Sequence, residues 1–153
     1  MSEVLETKSA QDFINLVPEH QANAFPGLEF GSVASLIEKT HYLTIRQTVK
    51  KPLSGFKSCA YTHNGFPFFW SPSPDNFEVT TIFNYGLWEF PPELTGILTT
   101  ATTLLRLLES YEDNNIPEET AESMMDQYRG LISDGRHIAS KTGYGSAFAE
   151  ILD

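Results

Sequence analysis

The clearest pattern in the chain is helical. Leu94, Ile97, Leu98, Ala101, Leu104, Leu105, Leu108 and Tyr111 recur at spacings of three and four, which places them along one side of a helix and predicts a buried face. Pro91-Pro92 stands where such a helix would begin, and proline suits a first turn because its missing N–H would be unsatisfied there anyway. A second stripe follows: Ala121, Met124, Met125, Tyr128, Leu131 and Ile132, opened by Pro117 and closed by Asp134-Gly135. The break between the two, Asp113-Asn114-Asn115, is short, so the pattern predicts two antiparallel helices.

Upstream the period changes to two. Phe56, Ser58 and Ala60 alternate with Lys57, Cys59 and Tyr61, and Asn64-Gly65 then gives a hairpin turn. Residues 66–70 form an apolar return strand whose Pro67 suits an edge or a bulge. After the loop 71–76, Phe77, Val79, Thr81 and Phe83 alternate with polar positions, and 87–90 adds a fourth strand. The start of the chain is less regular. Ser9 and Asp12 have the spacing of a capping box before Phe13, Leu16 and Val17, which predicts a short helix limited by Pro18. Segment 31–51 reads two ways: Val33, Leu36 and Ile37 suit a helix, while the β-branched residues at 44, 45, 48 and 49 favour a strand. Residues 146–152 suit a last turn or two of helix. The expectation is one α+β domain over 1–153. It consists of an antiparallel meander of three to four strands packed on two long C-terminal helices, with short N-terminal helices.

Composition narrows the function. A chain of 153 residues, 41% hydrophobic, is long enough to bury a core without disulfides or a metal. Its single cysteine, Cys59, excludes an internal disulfide and a Cys-rich zinc site. Acids outnumber bases 20 to 10, against direct nucleic-acid binding, which needs a basic face. No apolar run of membrane-spanning quality occurs and the first ten residues lack a signal-peptide pattern, so a cytoplasmic location is expected. The charge is uneven. Segment 89–126 holds nine acids and one base, Arg106, whereas 39–57 holds five bases and no acid. Such runs usually solvate helix faces; the functional alternative is an acidic surface that steers a basic partner.

Catalytic patterns are sparse. Cys59 and His63 lie on a strand and its turn, which reads as a packed thiol and a turn histidine rather than a nucleophile and base. His20, His41 and His137 lack metal-ligand spacing, and Gly143-Tyr144-Gly145 lacks the third glycine and the preceding strand of a dinucleotide loop. Glu89, Glu93, Glu118 and Glu119 already have a reason to sit at helix starts. No catalytic residue, metal or cofactor is expected, and the chain is read as a binder rather than an enzyme. Two sets of residues are candidates for protein binding: the acids Glu112, Asp113, Glu118, Glu119 and Glu122 around the inter-helix turn, and Phe66, Phe69 and Trp70 on the aromatic strand.

The order of these parts resembles a known family. Trp88-Glu89-Phe90-Pro91-Pro92-Glu93-Leu94-Thr95-Gly96-Ile97, with the Leu-rich helix after it, is similar without gaps to a segment of the antirestriction proteins of the ArdB/KlcA type. Gly55, Tyr61, Asn64-Gly65 and residues 69–72 resemble that family's sheet, Asp126-Gln127-Tyr128 its last long helix, and 149–153 its ending. The likeness spans roughly 52–153; Phe66-Pro67 departs from it, and the N-terminal third matches poorly. The resemblance implies a compact α/β domain and a helix over 40–50. It also implies a non-enzymatic function, interference with type I restriction enzymes that protects incoming mobile DNA. An immunity- or chaperone-type protein that binds a toxin or effector through the acidic helices is the alternative expectation.

Overall fold

The computed structural model describes residues 10–16, 33–50, 58–81 and 86–152. A 3-10 turn, Ala10–Phe13, leads into β1 (Ile14–Leu16). There follow α1 (Ala34–Thr48), β2 (Ser58–Thr62), β3 (Pro67–Trp70), β4 (Phe77–Val79), β5 (Trp88–Phe90), α2 (Pro92–Leu108), α3 (Glu118–Thr142) and α4 (Gly145–Leu152). This is an α+β fold. The expected single meander is instead two antiparallel sheets, β1-β2-β3 and β4-β5. The loop with Pro72 and Pro74 separates them, and proline cannot continue a ladder.

The centre of the molecule is α2. It packs against α1, α3 and β3, and Leu94, Ile97, Ala101 and Leu104 are buried as their spacing predicts. Leu105 and Leu108 are only half-buried, and Leu107 is buried in their place. A helix covered on three sides buries more than one stripe, so its inward phase is wider than the periodic positions alone suggest. Gly96 marks the closest approach: a Cβ there would lie 2.6 Å from the Phe69 carbonyl oxygen. One turn on, Thr100 Oγ1 accepts from the Phe69 N–H at 3.0 Å. The open edge of β3 is thus closed by a helix side chain rather than left to pair with another strand.

Two other expectations are corrected and one open reading is resolved. The expected N-terminal helix is cut short: among the described residues Ala10–Phe13 forms a 3-10 turn, and Ile14–Leu16 then pairs antiparallel with β2, Ile14 opposite Thr62 and Leu16 opposite Ala60. The unpaired edge of β2 offers a ladder that outweighs a marginal local helix. Segment 40–50 is helix to Thr48 and then extended, with Val49 bridging Val79; the β-branched positions therefore serve both elements. The second long helix does not stop at Asp134-Gly135 but runs to Thr142, ending at Gly143 with φ +88°. Gly135 is there for closeness, since a Cβ would fall 2.7 Å from the Phe148 ring. The C-terminal segment is the short helix expected, with Phe148 and Ile151 buried. Residues 17–32, 51–57 and 82–85 lie outside the described residues.

Leu104 lies fully buried in α2. Leu104→Ala should cost about 2–5 kcal/mol, measured by urea unfolding, with an unchanged far-UV circular dichroism spectrum at 25 °C.

Candidate functional site

The turn joining α2 to α3 is a built structure. Ile116 is buried and its N–H donates to Tyr111 O at 3.0 Å. Asn114 Nδ2 donates to Ser110 O at 3.0 Å and to Ser110 Oγ at 2.9 Å, and Asn115 takes φ +56°, a conformation asparagine tolerates better than most residues. On this frame Glu109, Glu112, Asp113, Glu118, Glu119, Glu122 and Asp126 are all exposed. The structure therefore brings the five acidic candidates onto one end of the helix pair. Among the described residues none of them forms an ion pair.

The two halves of this cluster differ energetically. Glu118 and Glu119 lie in the first turn of α3, where a carboxylate meets the positive helix end. Glu109, Glu112 and Asp113 follow the last turn of α2, where the negative end of the helix dipole makes a carboxylate unfavourable by roughly 0.3–1 kcal/mol each. The nearby cation, Arg106, points elsewhere: its Nη1 donates to Gln47 Oε1 at 2.7 Å and Thr44 Oγ1 at 3.1 Å on α1. Helix stability explains the acids of α3 but not those after α2.

The aromatic candidates behave differently. Phe69 and Trp70 are each 5% exposed and belong to the core, so they present no surface to a partner. Every residue of β3 is buried, because α2 covers one side and the sheet continues on the other. Phe66, at the hairpin turn, is half-buried, with its ring packed against Gly130 of α3.

The hairpin tip holds an arrangement that sequence reasoning missed. Asp134 of α3 is only 3% exposed. Its Oδ2 accepts from Thr62 Oγ1 at 2.6 Å and its Oδ1 from Asn64 Nδ2 at 2.6 Å. His63 Nε2 lies 3.7 Å from Oδ1, and the His63 ring is 5.1 Å from that of His137. Phe13 stands edge-on to both imidazoles. Asp134 thus fastens the hairpin to α3. Its partners are about 70 residues away in sequence, so no local motif signals the contact. Among the described residues no group of three or more His, Cys, Asp or Glu is placed to hold a metal.

Three other titratable groups are buried without a site around them. His41 is fully enclosed, its Nε2 3.1 Å from Thr99 Oγ1 and its ring 4.9 Å from that of Phe69; burial pushes its pKa down to about 3. Cys59 is buried in β2, and burial, reinforced by the Glu38 carboxylate, pushes its thiol up to about 12. Glu93, in the first turn of α2, is also raised by desolvation, with a backbone hydrogen bond opposing the rise. The thiol is thus held as a packing group rather than a thiolate nucleophile.

No protein-family model matches this chain, and neither does any curated protein sequence. Among the described residues no helix is long and apolar enough to cross a membrane.

Asp134→Ala would leave Thr62 Oγ1 and Asn64 Nδ2 without their acceptor, and a loss of roughly 2–4 kcal/mol is expected in urea unfolding. Asp134→Asn, which keeps one carbonyl oxygen, should cost less than Asp134→Ala. His41 gives a pH signature of defined sign. Its folded pKa lies below the unfolded value, so the unfolded chain binds the proton first. Stability is therefore complete above about pH 6.5 and falls as pH drops toward 3, with a slope approaching ~1.4 kcal/mol per pH unit. Comparing urea midpoints across this range for the wild type and His41→Gln should show a flatter profile in the variant.

Proposed function

We propose that this protein acts by binding another protein through the acidic end of the α2–α3 pair, and that its target is a type I restriction enzyme. By blocking that enzyme it would protect incoming mobile DNA. The observation that carries the binding reading is the set of carboxylates after α2, exposed on a rigid turn where the helix dipole disfavours them. Charge kept where it costs stability is charge retained for another reason, and long-range steering of a basic partner is the physical use such a face has. The restriction target rests on the likeness of 88–97, and of the helix after it, to the ArdB/KlcA type. A net charge of −10 shared with ten bases is a weak copy of a DNA duplex, so the reading is protein binding rather than DNA mimicry.

The expected outcome is a rise in plating efficiency of unmodified phage on a host with a type I system when the protein is expressed. Neutralising the turn (Glu112→Gln, Asp113→Asn, Glu118→Gln, Glu119→Gln and Glu122→Gln together) should slow association with the enzyme ~10-fold or more at low salt. The unfolding midpoint should stay close to that of the wild type. Unchanged restriction in the plating assay would remove the antirestriction reading. Capture of a toxin or effector that still depends on these five acids would then favour the immunity-type alternative.

A further inference from the structure

The side of α1 that faces away from the core is unlike an ordinary solvated helix face. The buried positions Ile37, His41, Thr44, Ile45 and Thr48 define its inner side. Opposite them, Lys39, Tyr42, Leu43 and Arg46 follow at i, i+3, i+4 and i+7 and are all exposed, so they share one stripe of roughly two turns. Tyr42 and Leu43 are 41% and 46% exposed, two of the three large hydrophobic side chains that reach solvent to this extent among the described residues. The Arg46 guanidinium stands 5.9 Å from the centre of the Tyr42 ring, an attraction that holds ring and charge together. Lys50, just past the helix, is exposed as well. The one acid of α1, Glu38, stands about 100° round the helix from Lys39. The stripe is therefore basic with an apolar centre.

Such a stripe fits an acidic surface with an apolar spot, and this chain carries one. Glu112, Asp113, Glu118, Glu119 and Glu122 are exposed around the α2–α3 turn, and Pro117 is exposed in their midst. The two surfaces do not neutralise one another within a molecule. Among the described residues neither Lys39 nor Arg46, nor any of the five acids, forms an ion pair. Both surfaces have firm supports, a helix packed on α2 and a turn tied by Asn114. At about 0.15 M salt the Debye length is about 8 Å. Repulsion between two copies of net charge −10 is then screened over most of their separation, while groups in direct contact still attract. An anionic lipid surface fits less well, because it would repel the acidic remainder of the molecule.

We propose that the basic stripe of α1 docks on the acidic α2–α3 turn of a second copy of this chain. Lys39 and Arg46 meet the carboxylates, and Tyr42 and Leu43 cover Pro117. The contact joins different surfaces of the two copies, so it is head-to-tail, and copies add in sequence until a ring closes. A copy whose turn is taken cannot present it to a partner of another kind, so self-association withholds the proposed binding face. The contact rests on no other partner or target, and an assay that contains this chain alone tests it apart from the proposed function.

The test is sedimentation velocity of the full chain over a concentration series, at about 0.15 M salt and at about 1 M, where the Debye length falls to about 3 Å. Self-association with a Kd below about 1 mM is expected at the lower salt, and association ~10-fold weaker or more at the higher. Two variants separate the surfaces. Lys39→Gln with Arg46→Gln removes the charges of the stripe and keeps good helix formers. Glu112→Gln, Asp113→Asn, Glu118→Gln, Glu119→Gln and Glu122→Gln together neutralise the turn. Each variant alone should associate ~10-fold more weakly than the wild type or worse. Mixed, the two should form a one-to-one complex and nothing larger, because one intact turn and one intact stripe remain between them. Leu43→Ser should weaken the wild-type contact severalfold. Every change is at an exposed position, and far-UV circular dichroism and the thermal midpoint check that each variant is folded. A wild-type chain that stays monomeric to about 1 mM overturns the proposal, as does association unchanged at the higher salt. Self-association retained by the turn variant alone would mean that like stripes pair, and overturns the head-to-tail contact. A wild-type chain that stays monomeric but floats with phosphatidylserine vesicles overturns the second copy as occupant and gives the stripe to a lipid surface.

Discussion

The contact on which this molecule rests is the approach of α2 to the backbone of β3. A helix normally stands off a sheet by the length of its side chains. Here Gly96 removes one of them, and the helix backbone comes down on Phe69 and Trp70. At that distance a threonine hydroxyl can do what a neighbouring strand would do, and Thr100 takes the edge N–H of Phe69. Two further threonines on the same helix, at 95 and 103, satisfy their own buried hydroxyls on backbone carbonyls one turn back, so a threonine-rich helix can be enclosed without orphaned polar atoms. With β3 fixed, β2 and β1 follow by ladder pairing. The two remaining faces of α2 take α1, through His41 and Arg106, and α3.

That arrangement also divides the surface from the interior. The aromatic strand, attractive in the sequence as a recognition surface, is consumed in making the core. The polar groups nearest it are inward-facing and satisfied. What is left outside on a firm support is the turn between α2 and α3. Its rigidity comes from residues with no charge at all: Ile116 anchors it from beneath, and Ser110 and Asn114 bind its backbone. A charged surface held in one conformation gives up less entropy on association than a mobile one. Arg106, which could have neutralised it, is engaged on α1.

Much of this was legible in the residues, and the parts that were not share a cause. The α2 stripe and the Asn64-Gly65 turn carry strong local signals and form as expected. So does the last helix, from Phe148 and Ile151. The elements that differ were decided by partners far away in sequence. Residues 14–16 look helical until the free edge of β2 is present beside them. Gly135 looks like a stop signal until Phe148 folds back over it, and Asp134 looks like part of the same stop until the hairpin turn arrives above it. The half-buried state of Leu105 and Leu108 depends on which neighbours α2 has, not on its own period. Of the candidate site, the acids could be placed because helix ends are predictable. The burial of Phe69 and Trp70 could not, because it required knowing where α2 would lie.

The lone thiol has a consequence of its own. Cys59 sits in the central strand of the larger sheet, enclosed, with the pH at which it would ionise far above that of the cell. An alkylating reagent needs the thiolate and needs to reach it, and the native protein denies both. Modification can proceed only through molecules in which β2 has come away from its surroundings. The rate at which this one sulfur is captured is therefore a clock for the opening of the sheet. It is intrinsic to the chain and requires no introduced label.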